Sequence, residues 1–90
     1  MSVKIQLASY LAQFTNGREV VEVKGKTVGE CLRHLAGEFP AIEKRLFAEK
    51  DRLHDFVSIY INDEEAYPDE LAKPVKDGDL LQVLFMIGGG

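Results

Sequence analysis

The chain has a single cysteine, Cys31, so it forms no internal disulfide and by itself cannot hold an iron–sulfur cluster. It also lacks any run of Lys or Arg, and eleven basic residues stand against fifteen acidic ones for a net charge of −4. Phosphate binding calls for a clustered basic face, so nucleic acid is not an expected partner. No apolar stretch approaches the roughly 20 residues that cross a bilayer, and Met1-Ser2-Val3-Lys4 is not a basic segment followed by an apolar one. Neither a membrane partner nor export is expected, and the cytoplasm is the expected location. Ninety residues exclude a second domain, and 46% hydrophobic with 29% charged residues exclude disorder and fibrous repeats.

What is present reads as alternating strands around one helix. Val3, Ile5 and Leu7 alternate with Lys4 and Gln6, the two-residue period of a half-buried strand. Ser9 to Arg18 is aperiodic but carries Asn16-Gly17, a turn pair, before the β-branched Val20, Val21 and Val23. A hairpin with a wide loop is expected. Thr27 and Glu30 form a capping-box signature, and Val28, Cys31, Leu32, Leu35 and Phe39 draw one apolar stripe until Pro40 stops it. From Ala41 to Asp55 only Ile42, Leu46 and Phe47 are anchors, which predicts a helical turn and a loop. Phe56 to Ile61 reads as a strand, Asn62 to Glu65 as a turn, and Ala66-Tyr67 as a short return. The acidic run Asp63-Glu64-Glu65 reads as a solvated turn. Pro68 to Pro74 has room for one helical turn, Lys76-Asp77-Gly78-Asp79 is a tight turn, and Leu80 to Ile87 is the last strand. Strands interrupted by a helix that packs on one face make an α+β domain, residues 1–87, followed by a flexible glycine tail, 88–90.

Gly88-Gly89-Gly90 follows directly on an apolar strand. Residues without Cβ make a thin thread that enters a channel too narrow for side chains. The thread presents the α-carboxylate of Gly90, which is ionised at neutral pH and can attack the α-phosphate of ATP if a partner enzyme aligns both with Mg²⁺. The resulting acyl-adenylate accepts a sulfur nucleophile to give a thiocarboxylate, or an amine or thiol to give a conjugate. The bland alternative is a frayed end or a linker remnant.

Thr27-Val28, Phe39-Pro40, Leu46, the block from Phe56 to Glu65, Leu71, Asp77-Gly78-Asp79 and the diglycine Gly89-Gly90 together resemble the ubiquitin-like sulfur carriers of the MoaD/ThiS/CysO family. The Phe56 to Glu65 block and the segment from Pro40 to Leu53 are most similar to the cysteine-synthesis branch. Gly88 stands where the family usually has Ala, and Phe85-Met86 where a proline often sits. The resemblance implies a β-grasp fold, a mixed sheet of four to five strands packed on one main helix. It implies a carrier that is not an enzyme and binds no cofactor itself, with ATP and Mg²⁺ used by a ubiquitin-activating-type adenylating partner that charges Gly90. A sulfur-accepting biosynthetic enzyme would then take the sulfur for cysteine or homocysteine, molybdopterin or thiamin thiazole. The same tail serves a second reading, a protein modifier joined to lysines through Gly90, and a third is a β-grasp binding module or enzyme subunit whose tail is incidental.

Strand alternation sends Leu81, Val83 and Phe85 toward the helix and leaves Leu80, Gln82, Leu84 and Met86 outward as a partner-binding patch beside Gly88 and Gly89. Cys31 lies on the apolar stripe and reads as a small core hydrophobe. His34, three residues on, could share a metal with it, but no third ligand is near in sequence, so no metal is expected. His54, beside Asp51 and Asp55, reads as part of a solvated loop, and no catalytic residues are assigned.

Overall fold

In the computed structural model, which describes residues 2–85, the first alternating segment is strand β1, Ser2–Leu7. Val3, Ile5 and Leu7 are buried while Lys4 and Gln6 face out. β1 pairs antiparallel with β2, Val20–Lys24, from Ser2 opposite Lys24 to Gln6 opposite Val20. The turn pair between them has φ of +56° at Asn16 and +83° at Gly17, a region these residue types tolerate. The connection is more structured than a wide loop. A 3-10 helix, Ser9–Phe14, buries Leu11 and Ala12, and the buried Thr15 donates its hydroxyl to the Arg18 carbonyl at 2.7 Å. Six residues of 3-10 helix carry too few turns to show a period in the sequence.

Helix α1, Val28–Glu38, begins as expected, with the Thr27 hydroxyl accepting from the Glu30 N–H at 3.1 Å. The Glu30 carboxylate reaches back to the Lys26 N–H at 2.8 Å, one residue earlier than in the usual capping box. Val28, Cys31, Leu32 and Leu35 are fully buried, and Phe39 packs half-buried at the edge of the same core. Pro40 ends this helix and also opens the next, α2, Pro40–Leu46, because the first helical position needs no N–H. The expected single turn is therefore a seven-residue helix that buries Ile42 and Leu46 at i, i+4 spacing. The expected loop after it contains a hairpin, β3, Phe47–Glu49, and β4, Arg52–Leu53.

Strand β5, Val57–Ile61, turns back through Asn62 and Asp63, both at positive φ (51° and 71°). Two such residues close a hairpin by themselves, so the return strand β6 is Glu64–Glu65 rather than Ala66-Tyr67, and the acidic pair lies exposed on a sheet edge. A 3-10 turn at Glu70–Ala72 falls within the expected helical stretch, and β7 is Leu80–Phe85. Met86 and Ile87, expected to continue that strand, lie outside the described residues. The sheet order is β2-β1-β7-β5-β6, with β1 and β7 parallel and the other pairs antiparallel. This is the expected mixed α+β arrangement, five strands with α1 on one face, joined by α2 and the small β3–β4 hairpin.

The start of β7 is fixed by two polar side chains. Asn62 donates from Nδ2 to Asp79 at 2.9 Å and accepts from the Leu80 N–H at 2.9 Å, while Asp79 also accepts from the Lys76 N–H at 2.9 Å. Asp79 is buried, and its bond from Asn62 first, then that from the Lys76 amide, hold its carboxyl below the ordinary carboxylate range. One carboxylate thus ties the β5–β6 turn to the turn at Gly78, whose φ is +90°. A second close approach fixes α1, where a Cβ on Gly29 would sit 2.9 Å from the Leu71 carbonyl oxygen.

Two stability measurements test these contacts. Gly29→Ala is expected to destabilise by about 1–3 kcal/mol in denaturant melts, although alanine is the better helix former. Gly37→Ala, in open space on the same helix, is expected to stabilise by about 0.5–1 kcal/mol. Because the carboxyl of Asp79 is depressed in the folded state, its contribution is present above the unfolded carboxylate value and lost as pH falls through the folded one. Asp79→Ala should therefore lose about 2–3 kcal/mol at neutral pH, with the gap to the unsubstituted protein closing on acidification below about pH 4.

Candidate functional site

β7 lies between β1 and β5, so the chain that leads to Gly90 leaves from the middle of the sheet. Its inward residues Leu81 and Val83 are fully buried, and Phe85 packs half-buried against the same core, as the alternation requires. On the opposite face Leu84 is 40% exposed, whereas Leu80 and Gln82 are only half-buried. The reason is the pairing: Gln82 has Gln6 on one side and Tyr60 on the other, and Leu80 has Lys4 beside it. Leu84 is opposite Ser58, a small residue that leaves it uncovered. One row across the face runs Val20, Gln6, Gln82, Tyr60, Glu65, with Val20 50% exposed at its far end. The described part of this face combines apolar side chains with amide groups. Met86, Gly88, Gly89 and Gly90, the other expected site residues, lie outside the described residues.

At the last described rung of β7 four rings meet. Tyr10 lies 5.6 Å from Phe85, Phe85 meets Phe56 edge-on at 4.9 Å, and Phe56 stacks on His54 at 4.8 Å. The Tyr10 hydroxyl accepts from the Phe85 N–H at 2.9 Å. Tyr10 was not legible as a site residue because its partner is 75 positions away. An aromatic ring in an otherwise aperiodic loop is the one signal that it carries.

Cys31 is fully buried on α1, and burial first, with the nearby Glu30 charge second, pushes its thiol up to about 11. It is held as a thiol and packs as a hydrophobe. His34 is not brought together with it as a ligand. The His34 Nδ1 accepts from the Lys24 N–H at 2.9 Å and its Nε2 faces Glu38 at 3.1 Å, so the ring links β2 to α1. His54 likewise has a structural place, its Nε2 3.0 Å from the Lys44 carbonyl, while Asp51 pairs with Arg33 at 2.8 Å. A groove of about 430 Å³ beside the β3–β4 hairpin is lined by Asp51, Asp55, Glu65, Asp69 and Glu70 against a single Arg52, with His54 beside them, a mostly acidic setting that disfavours phosphates. Among the described residues no three His, Cys, Asp or Glu side chains gather as metal ligands, and no helix is long and apolar enough to cross a membrane.

Comparison with known proteins agrees with this geometry. The chain is 32% identical over 93 residues to the sulfur carrier protein CysO of Mycobacterium tuberculosis, with both chains covered in full. It is 34% identical over 87 residues to small archaeal modifier protein 1 of Haloferax volcanii, covering 94% of this chain and 97% of that one. The crystal structure of the Amycolatopsis orientalis BexX/CysO complex contains a chain that superposes with a TM-score of 0.87 at 36% identity, covering 98% of this chain and 99% of that one. Residues 5–90, which run from the buried Ile5 of β1 through Gly88-Gly89-Gly90, match the ThiS family, and the chain belongs to that family.

Proposed function

We propose that the protein is a sulfur carrier whose reactive group is the α-carboxylate of Gly90. The observation that carries this reading is the family match extending through the three terminal glycines, beyond a strand that emerges from the centre of the sheet. In the proposed cycle an adenylating enzyme of the ubiquitin-activating type binds the tail with ATP and Mg²⁺. A Gly90 carboxylate oxygen attacks the α-phosphate, pyrophosphate leaves, and an acyl-adenylate forms. A sulfur nucleophile at the oxidation level of sulfide then adds to the carbonyl and displaces AMP, leaving a thiocarboxylate. The protein is a substrate of this chemistry and not its catalyst, and the cytoplasm is its place. Similarity to CysO supports a biosynthetic enzyme of the cysteine or homocysteine branch as the taker of the sulfur, ahead of molybdopterin or thiazole synthesis.

The exposed Leu84, flanked by half-buried Leu80 and Gln82, is the described part of the proposed docking face, and Met86 would extend it. A second reading, a modifier joined to lysines through Gly90, is supported by the similarity to small archaeal modifier protein 1. Both share the adenylate and diverge after it.

Deleting Gly89 and Gly90 is expected to abolish ATP–pyrophosphate exchange by the activating enzyme while leaving the melting curve in place; unchanged exchange overturns the assignment of Gly90. Intact mass from native cells separates the two readings, a replacement of one oxygen by sulfur marking the carrier and adducts with larger proteins marking the modifier. Leu84→Arg is expected to weaken capture by the activating enzyme about tenfold or more, equivalent to about 1.4 kcal/mol, with secondary structure retained in circular dichroism.

A further inference from the structure

We propose that Tyr10 is a positioning residue that clamps the base of the tail by completing the hydrogen-bond ladder where strand β1 has already ended. The β1 register with β7 stops at Leu7 opposite Val83, and the last rung contributed by backbone on that side is the Ala8 N–H to the Val83 carbonyl at 3.4 Å. The next groups of β7 facing that side belong to Phe85. Their partner is a side chain: the Tyr10 hydroxyl accepts from the Phe85 N–H at 2.9 Å and sits 3.4 Å from the Phe85 carbonyl, toward which it donates. One hydroxyl, able to donate and accept, thus stands in for a strand residue.

The ring contacts reinforce the same point from the other side. Phe85 is wedged between Tyr10 and Phe56, and Phe56 is backed by His54, whose Nε2 is itself fixed against the Lys44 carbonyl. On the other side of β7, Val57 of β5 lies opposite Phe85. Tyr10 and Phe56 are each 41% exposed, so simple burial of apolar area explains neither position well. Their common effect is to hold one residue, the last described residue of β7, which has a partner on both sides.

Five residues lie between this point and the Gly90 carboxylate, a reach of about 17 Å at full extension. Each further residue released from β7 adds conformational freedom that a partner enzyme must remove on binding. Resting on the carrier reading, the clamp therefore sets the affinity with which the activating enzyme takes up the tail, and leaves the chemistry at the carboxylate unchanged once the tail is seated.

Tyr10→Phe keeps the ring and removes both hydrogen bonds. With a purified ubiquitin-activating-type adenylating enzyme from the same organism, ATP–pyrophosphate exchange is expected to show KM for the carrier raised about fivefold, equivalent to about 1 kcal/mol, with kcat unchanged. Amide hydrogen exchange of the free protein is expected to lose protection at Phe85 while Leu81 and Val83 keep theirs. An unchanged KM, a loss in kcat instead, undiminished protection at Phe85, or protection lost equally along β7 overturns the proposal. If the unsubstituted protein supports no exchange at all, the carrier reading fails, and the Phe85 amide still decides whether the clamp exists.

Discussion

The parallel pairing of β1 with β7 is the constraint on which the rest of the molecule depends. Parallel neighbours cannot be joined by a tight turn, so everything from Ala8 to Asp79 serves as the crossover between them. That long excursion contains β2, α1, α2 and β5, and it returns the chain to the middle of the sheet, where β7 finds partners on both sides. The two segments farthest apart in sequence thereby become neighbouring strands, with β7 at the centre of the sheet. Their inward residues Val3, Ile5, Leu81 and Val83 have no exposure, and they share one buried core with Leu32 and Leu35 of α1.

Much of this was legible where one residue type had only one physical use. The alternation of Val3, Ile5 and Leu7, the stripe on α1, the Thr27 cap and the Asn16-Gly17 turn are local signals with local causes, and each is found in place. The β3–β4 hairpin was not legible because Phe47 to Leu53 is short, charged and anchored by few apolar residues. The full length of helix α2 is not legible because Pro40, which stops α1, is equally at home as the start of the next helix. The β6 strand begins two residues earlier than composition indicates because the positive φ of both Asn62 and Asp63 makes a narrower turn.

The site divides along the same line. Alternation along β7 was sufficient to assign Leu81 and Val83 inward and Leu84 outward, since each follows from its own strand. The degree to which Gln82 and Leu80 are covered follows from Gln6, Tyr60 and Lys4 on neighbouring strands, which only the register reveals. The ring cluster around Phe85 is an extreme case, because its members come from three distant parts of the chain. Resemblance to a family supplied the expected chemistry of the glycines, while the strand pairing shows that the strand preceding them runs through the middle of the sheet.

Under the proposed carrier function, in which the terminal carboxyl would be turned into an electrophile, the state of Cys31 has a consequence. An adenylated carboxyl is open to any thiolate that can reach it, and self-capture would lock the chain into an unproductive macrocyclic thioester. Here the one internal thiol is sealed beneath α1 and kept protonated well beyond neutral pH, with no exposure from which to strike. A globule proposed to carry sulfur on its last residue would thus keep its own sulfur out of the traffic.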